Sequence, residues 1–182
     1  MDTKAKLAAV AQRLFVRQGV DRTPTSQICK EASLSSGSLF VHFKTKQDLI
    51  DAIYLDRKKA ALDTFQRSVS VGAPAEQNVK AVSRTVVEYY LTQHEDFQFF
   101  RMLELAPAVS QKAIDAQNNE LAWILSQIES WSASKALKPF PAEFLLQIWW
   151  SILSALVVQL HAAERERVLD GELTMVWDAL KR

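Results

Sequence analysis

Only four glycines and five prolines are present in 182 residues, and this scarcity constrains the fold more than any other feature of the sequence. Most of them fall between long periodic segments, at Gly19, Pro24, Gly72, Pro74, Pro107, Pro139, Pro141 and Gly171. A chain of short strands needs turn residues at closer spacing. The pattern therefore predicts an all-α protein of about nine helices.

The first interval has the period of an amphipathic helix. Five apolar residues recur at the i, i+3, i+4, i+7, i+8 spacing of one helical face: Leu7, Val10, Ala11, Leu14 and Phe15. Gly19 follows them at the place where a helix commonly ends. We therefore expect a first helix that buries this face and stops before Gly19.

Two shorter helices follow, with a turn between them. Threonine favours the N-cap and proline the first helical position, so Thr23 and Pro24 predict the start of a second helix. Ser35 can cap a third, and residues 45–48 give a fourth a start similar to a capping box. Two short helices joined by a tight turn and packed on a longer first helix form a helix-turn-helix.

Beyond residue 72 the predicted helices are longer. We place them at about 76–93, 96–106, 110–134, 141–167 and 172–181. The longest apolar run, residues 144–160, contains polar residues and is shorter than the roughly 20 residues of a membrane span. It predicts a buried helix in a protein that does not cross a membrane.

Composition and charge narrow the class of protein. The single cysteine, Cys29, excludes an intrachain disulfide and a zinc site built from cysteines. The N-terminal residues contain no apolar stretch like that of a signal peptide, so we expect a cytoplasmic protein. The formal net charge of +1 hides an uneven distribution, because residues 1–60 carry +5 and the remainder carries −4. A basic N-terminal region is compatible with binding to nucleic acid.

A set of residues between positions 14 and 49 forms a specific signature. It consists of Leu14-Phe15, Gly19, the Thr-Pro-Thr-Ser run at 23–26, Ile28, Ser35, the Gly-Ser-Leu-Phe run at 37–40, His42-Phe43, Lys46 and Leu49. With an all-α body that ends in a tryptophan-containing helix at 176–180, the signature resembles the TetR (tetracycline-repressor) family of bacterial transcriptional regulators. The resemblance implies a helix-turn-helix DNA-binding domain at 1–47 and a helical ligand-binding and dimerisation domain at 48–182. Repression is the family default.

Several residues of the signature are expected to contact DNA. Thr25 and Ser26, in the first turn of the second helix, can donate hydroxyl hydrogen bonds to phosphate. Lys46 lies at the start of the fourth helix, where a cation opposes the helix dipole unless a phosphate docks there. In the third helix, beside Val41, His42 can also donate to phosphate. For Lys46 and His42 the alternative is an ordinary solvated surface side chain.

The third helix is expected to read base edges in the major groove. Small residues in its first turn, Ser36, Gly37 and Ser38, allow close approach of the backbone, and Val41 can contact a thymine methyl. Phe40 belongs to the same surface, although the family most often has tyrosine there, so a hydroxyl contact to phosphate is lost. Ser33 replaces the usual turn glycine, and Cys29 replaces a small alanine. We interpret Cys29 as a buried thiol, with a redox sensor as the alternative.

The body of the resembled family encloses a pocket for a small-molecule inducer. Transferred by position, the lining would be Tyr89, Tyr90, Phe100, Leu103, Glu104, Trp123, Gln127 and Trp150. Such a lining implies an apolar or aromatic ligand of unknown identity. The alternative is that most of these aromatic residues simply form the core.

Dimerisation is predicted from the helix near 141–167. Its polar residues form one narrow stripe, so most of its circumference is apolar and requires cover that the body alone is too small to provide. We expect a homodimer interface formed by Trp149, Leu153, Leu156, Val157, Leu160 and Trp177. A two-fold dimer spaces two recognition helices for a palindromic operator in double-stranded DNA.

Other functional classes find little support in the sequence. An enzyme would need a catalytic or metal-binding cluster, and His161-x-x-Glu164 is a single pair where a di-iron bundle needs two such pairs and further glutamates. We therefore predict no catalytic residues, no metal and no cofactor. Two alternatives remain open: a helical interaction module without DNA binding, and a regulator without a small-molecule ligand.

Overall fold

The computed structural model describes residues 2–160 and 165–182, apart from the side chains of residues 165–170. The His161-x-x-Glu164 pair lies outside these residues. Within them the chain forms ten α-helices, and its only β-type pairing is an isolated bridge between Leu137 and Lys181. The all-α prediction is confirmed. The helices are α1 (Thr3–Gln18), α2 (Thr25–Glu31), α3 (Ser38–His42), α4 (Lys46–Gln66), α5 (Ala75–Thr92), α6 (His94–Leu105), α7 (Gln111–Glu120), α8 (Ala122–Ala133), α9 (Ala142–Gln159) and α10 (Arg165–Leu180).

The tenth helix arises where the sequence predicted one helix over 110–134. The chain instead forms α7 and α8, which meet at Leu121. Asn118 and Asn119 precede this break and have low helix propensity. The amide of Leu121 donates to the carbonyl of Asn118, a tighter bond than the α-helical one. The last two predicted helices also shift, because α9 ends at Gln159 and α10 begins well before Gly171.

Two sets of residues form separately compact units. The first comprises residues 1–58 and 94–117, and the second comprises 59–93 and 118–182. The sequence predicts a boundary between a DNA-binding and a ligand-binding domain at residues 47 and 48. The compact units are defined by contacts and do not test that boundary, which stays a prediction.

The first unit is built on α1. The five apolar residues predicted to face inward from this helix are all buried, at 4% exposure or less, which confirms that prediction. Helices α2, α3 and α6 pack on α1, with Ile28 of α2 and Leu39 of α3 fully buried. Gly19 ends α1 with a φ of 86°, a left-handed conformation that favours glycine, and its amide donates to the Phe15 carbonyl.

The second unit is centred on α9, which packs on α5, α8 and α10. The buried indole N–H of Trp149 donates to Ser83 Oγ of α5 at 2.8 Å. By length and composition α9 is the one described helix apolar enough to cross a membrane, with a mean hydropathy of 1.4. A core helix of a globular protein meets the same criterion, but only 33% of α9 is buried in the chain. The prediction of a buried helix is therefore met on one side of α9 only.

The turn after α2 contains a strained serine. Ser33 has a φ of 55°, one of two non-glycine residues with positive φ among the described residues. The amide of Leu34 donates to the Cys29 carbonyl and that of Ser33 to the Lys30 carbonyl. This arrangement is a Schellman motif, in which Ser33 occupies the position that usually holds glycine.

Replacing Ser33 by Gly is expected to raise the free energy of unfolding by about 1 kcal/mol, because glycine adopts the left-handed conformation without a Cβ clash. Urea denaturation of the purified protein measures the change. Ser36→Gly is the matched control, since Ser36 lies in the same connection without a positive φ and should gain nothing. A loss of stability in Ser33→Gly would contradict the assignment of strain.

Candidate nucleic-acid interface and ligand pocket

Helices α2 and α3 are held on α1 so that one side of each faces outward. Thr25 is half-buried and Ser26 is exposed in the first turn of α2. Thr23 was expected to cap this helix, but its buried hydroxyl donates to the Gly19 carbonyl at 2.7 Å instead. Pro24 takes the capping position, and its carbonyl accepts from the amide of Ile28. Thr25 and Ser26, whose hydroxyls are predicted to contact phosphate, thus lie in the first turn of α2.

The outward side of α3 is unusually apolar for a solvated surface. Phe40 is 54% exposed and Val41 is 79% exposed, whereas Leu39 beside them is fully buried. A short helix gains nothing in stability by exposing these two side chains to water. Their exposure is what a contact surface for another molecule requires.

The turn leading into α3 leaves room for close approach. Ser36 and Gly37 are exposed, and Ser38 is half-buried, with its hydroxyl 2.8 Å from that of Ser35. The helix begins at Ser38, with Gly37 rather than Ser35 in the capping position. A Cβ at Gly37 would meet no atom within 4 Å, so the fold itself does not require glycine there. Backbone access from outside is the remaining physical reason for a glycine.

Lys46 is fixed at the start of α4. Its ammonium donates to the Val20 carbonyl at 2.6 Å and lies 6.0 Å from the centre of the Phe15 ring. An ammonium has three N–H donors, so this bond sets its position and leaves donors for a phosphate. Thr45 and Asp48 form the capping box predicted for this helix, with Asp48 accepting from the amide and hydroxyl of Thr45.

Two further residues from the sequence analysis, His42 and Cys29, lie close to this surface. His42 is half-buried at the end of α3. Cys29 is buried, as predicted, and its thiol donates to the Ser36 carbonyl at 3.6 Å. This bond links α2 to the turn before α3.

An outward-facing helix supported on two others, with hydroxyl, amide and ammonium donors at its rim, has the arrangement of a helix-turn-helix DNA-binding domain. Residues 7–53 match the family model described as bacterial regulatory proteins, tetR family. Residues 7–53 therefore match the DNA-binding region of the TetR family of bacterial transcriptional regulators, and the relatives of the chain support a regulator of the same family.

Individual relatives agree with this assignment. The chain is 23% identical over 159 residues to YhgD, an uncharacterized HTH-type transcriptional regulator of Bacillus subtilis, over 86% of this chain and 83% of the relative. It is 26% identical over 121 residues to the HTH-type transcriptional regulator QacR of Staphylococcus aureus, over 65% and 64% of the two chains. A TetR-family transcription regulator from Shewanella sp. PV-4 superimposes with a TM-score of 0.91 at 24% identity, over the full length of both chains. That superposition establishes the fold.

The first unit also contains a pocket of about 160 Å³. Its walls come from α4, α6, the connection between α6 and α7, and α7; the lining residues are Tyr54, Lys58, Phe100, Leu103, Glu104, Pro107, Val109 and Ile114. Three of the residues predicted to bind a ligand are among them, namely Phe100, Leu103 and Glu104. The contribution of α4 was missed, although Tyr54 and Lys58 have the i, i+4 spacing that places two side chains on one helical face.

The other residues predicted to bind a ligand lie in the second unit. Tyr90 is buried in an edge-to-face cluster with Phe65, Tyr89 and Trp150, at centroid distances of 5.2–5.8 Å. Gln127 is half-buried on α8. The indole N–H of Trp123, on the same helix, is buried without an acceptor among the described residues. These five residues do not line the pocket of the first unit, and their role in binding stays a prediction.

A polar junction ties α6 to α1 and α4. Gln12 Nε2 of α1 donates to Asp96 Oδ1 of α6 at 2.7 Å, and both residues are buried. Arg57 of α4 donates from Nε to Gln12 Oε1 at 3.2 Å, and the same Nε lies 3.7 Å from Asp96 Oδ1. Asp96 precedes the pocket residue Phe100 by about one helical turn.

The connection between α6 and α7 is also attached to α4. Gln47 Nε2, in the first turn of α4, donates to the Ala108 carbonyl at 2.8 Å. Asp51 accepts from both the amide and the hydroxyl of Ser110. Ala108 lies between the pocket residues Pro107 and Val109, so one wall of the pocket is bonded to the helix that carries Lys46.

The predicted dimer residues have a mixed placement. Trp149, Leu153, Leu156, Val157 and Leu160 are each less than a tenth exposed within the single chain, and Trp177 is half-buried. The exposed side of α9 lies beside them and consists of Glu143, Phe144, Gln147, Ser151, Ala155, Val158 and Gln159. No group of three or more His, Cys, Asp or Glu side chains among the described residues is placed to hold a metal ion.

Proposed function

We propose that this regulator is a dimeric repressor that binds a palindromic DNA operator in the cytoplasm and is released by a small molecule. The observation that carries the proposal is the position of the pocket. It lies in the same compact unit as the helix-turn-helix, and the two share helix α4. A ligand in the pocket therefore contacts the helix whose first residue, Lys46, lies at the proposed DNA surface.

DNA binding is proposed for the outer surface of α2, α3 and the start of α4. Contacts to the phosphate backbone of the DNA come from Thr25, Ser26, His42 and Lys46. These contacts position α3 on the DNA without reading its sequence. Base contacts come from the exposed α3 side and the turn before it, namely Ser36, Gly37, Ser38, Phe40 and Val41. Serine is a weakly selective reader of bases, so specificity rests in part on DNA shape.

Release by a ligand is supported by the two attachments of α6. Asp96 connects α6 to α1 through Gln12, and the connection after α6 is bonded to Gln47 and Asp51 of α4. A ligand that moves α6 or this connection would displace α1, on which α2 and α3 pack, or the start of α4, which carries Lys46. A ligand can shift the equilibrium only by its difference in affinity between the DNA-bound and released forms.

Dimerisation is supported by the incomplete burial of α9. Its exposed side carries Phe144 and Val158, which are about half exposed, between small residues such as Ser151 and Ala155. An apolar helix needs cover on most of its surface, and a second copy related by a two-fold axis presents the same surface in return. Leu153 and Val157, which were predicted to lie in the interface but are buried within the chain, would support this interface from behind.

Replacing Lys46 by Met tests the DNA surface. We expect weaker binding to every DNA sequence and a salt dependence, d log K/d log[salt], that is smaller by about 1 for each head, or about 2 for a dimer. Fluorescence anisotropy at several salt concentrations, with operator and with random DNA, measures both effects. Lys46→Arg keeps the charge and should keep the slope.

Lys112→Met is the matched control, because Lys112 is exposed on α7, a helix that is not proposed to contact DNA. An unchanged salt slope in Lys46→Met, even with weaker binding, would show that Lys46 only anchors the Val20 carbonyl. A chain with no measurable DNA affinity at low salt would instead be a helical interaction module.

A further inference from the structure

The pocket of the first unit has one apolar part and one polar part. Leu103, Pro107, Val109 and Ile114 are apolar, and Phe100 adds an aromatic face. The polar groups are Tyr54, Lys58 and Glu104. A cavity of about 160 Å³ is close to the 150 Å³ that accommodates benzene in a protein interior. The pocket therefore suits a small molecule with an apolar body and one polar end.

Lys58 is the cation of this pocket. Its ammonium lies 4.3 Å from the centre of the Phe100 ring, a cation–π distance. Burial lowers the pKa of Lys58 to about 8, and the nearby Glu104 carboxylate only partly offsets that effect. Lys58 is half-buried, so its ammonium is less well solvated than in water, and an additional anion beside it would be stabilising.

Glu104 is the more solvated of the two charges. Its side chain is 48% exposed, and its carboxylate lies 4.0 Å from Arg101 Nε on the same helix. Tyr54 donates its hydroxyl to Gln117 Oε1 at 3.0 Å, and burial raises its pKa, so it remains neutral at physiological pH. Of the titratable groups that line the pocket, Lys58 is therefore the one whose charge gains most from a ligand of opposite sign.

We propose that this pocket binds small carboxylates with an apolar or aromatic body of roughly benzene size. The carboxylate pairs with the Lys58 ammonium, and the body packs against Phe100, Leu103 and Ile114. The inference names the ligand class of the inducer site and so rests on the proposed function. The alternative is a pocket that binds a cationic ligand at Glu104.

Proton linkage follows from the same geometry. A bound carboxylate stabilises the charged ammonium, so the pKa of Lys58 rises on binding. Near pH 8 Lys58 is partly deprotonated in the protein without ligand, so ligand binding takes up a fraction of a proton from the buffer. At pH 6 Lys58 is already charged before the ligand binds, so no proton uptake accompanies binding. Affinity for the carboxylate should fall as the pH rises above about 8.

Isothermal titration calorimetry with three probes of one body tests the ligand class. The probes are benzoate, benzyl alcohol and benzylamine, each titrated at pH 8 in two buffers with different heats of ionisation. We expect benzoate to bind at least tenfold more tightly than the other two and to take up protons. Benzylamine as the preferred probe, or no benzoate binding at millimolar concentration, would overturn the inference.

Variants of Lys58 test whether benzoate binding and proton uptake depend on this residue. Lys58→Met should weaken benzoate binding at least tenfold and abolish proton uptake, with benzyl alcohol binding no weaker than in the wild type. Lys58→Arg should restore benzoate binding without uptake, because arginine stays charged at pH 8. Lys112→Met should behave as the wild type. Unchanged benzoate affinity in Lys58→Met, with the fold checked by circular dichroism, would overturn the site.

Operator release, measured in parallel by fluorescence anisotropy, tests the proposal of an inducer site separately from the proposal that the pocket binds carboxylates. Benzoate bound at Lys58 without operator release would leave the carboxylate site in place and refute the pocket as an inducer site. Operator release by a cation or neutral molecule that still acts on Lys58→Met would support an inducer site and refute the carboxylate class.

Discussion

Replacing Asp96 by Ala is expected to lower the free energy of unfolding by about 3 kcal/mol. Asp96 is only 6% exposed, and its carboxylate accepts the 2.7 Å hydrogen bond from the buried Gln12 side chain. Its removal leaves the Gln12 amide without that acceptor and takes the negative charge away from Arg57. The Gln12 amide and the Arg57 guanidinium then remain near the interior, where they have weaker polar interactions than they would have in water.

Urea denaturation measures the loss, and two controls assign it. Asp96→Asn retains one acceptor oxygen for Gln12 and should lose less stability than Asp96→Ala. Asp63→Ala breaks an exposed pair with Lys59 on α4 and should change stability by about 0.5 kcal/mol or less. A loss below about 1 kcal/mol in Asp96→Ala would show that the junction contributes little to the attachment of α6.

The DNA-binding helices were predictable because their signals are local. The apolar spacing in α1 and the capping box at Thr45 each involve residues a few positions apart, and both are present as expected. The family resemblance adds the orientation of α3, which periodicity alone does not provide. The details that differ are the capping residues of α2 and α3, where small shifts of a helix start are common.

The junction at Asp96 could not be predicted from the sequence. Gln12 and Asp96 are 84 positions apart, and neither residue has a neighbouring pattern that marks it as buried. A polar residue on an apolar helical face usually means a solvated edge. Only the packing of α6 on α1 converts the two residues into partners.

The pocket was predicted in part, for a definite physical reason. Aromatic residues both line cavities and fill cores, and composition does not distinguish the two. The Tyr90 ring contacts those of Tyr89, Trp150 and Phe65 edge to face, whereas Phe100 lines a pocket. Whether aromatic residues leave a space depends on helix packing, which no single-sequence pattern contains.

Replacing Ala155 by Arg is expected to convert the proposed dimer into a monomer. Ala155 lies on the exposed side of α9, between Ser151 and Val158. A two-fold interface contains the same surface of each copy, so the substitution introduces two large cations into the proposed contact. Leu156 and Leu160 are less suitable, because they are buried within the chain and a charge there would unfold it.

The loss of the dimer should also weaken operator binding. Two linked heads bind a palindrome about 10²–10⁴ times more tightly than one head binds a half-site. Ala155→Arg should therefore lower operator affinity by a factor in that range, while its affinity for an isolated half-site stays near that of the wild type. Sedimentation velocity and anisotropy, on the same preparations, measure the two effects.

Ala116→Arg is the matched control, since Ala116 is exposed on α7 in the first unit and its substitution introduces the same side chain into a helix. It should remain dimeric and bind the operator as the wild type does. Unfolding of Ala155→Arg in the same urea range as the wild-type protomer would show that the fold survives the substitution. A dimer that persists in Ala155→Arg would place the interface elsewhere and remove the exposed side of α9 from the proposed mechanism.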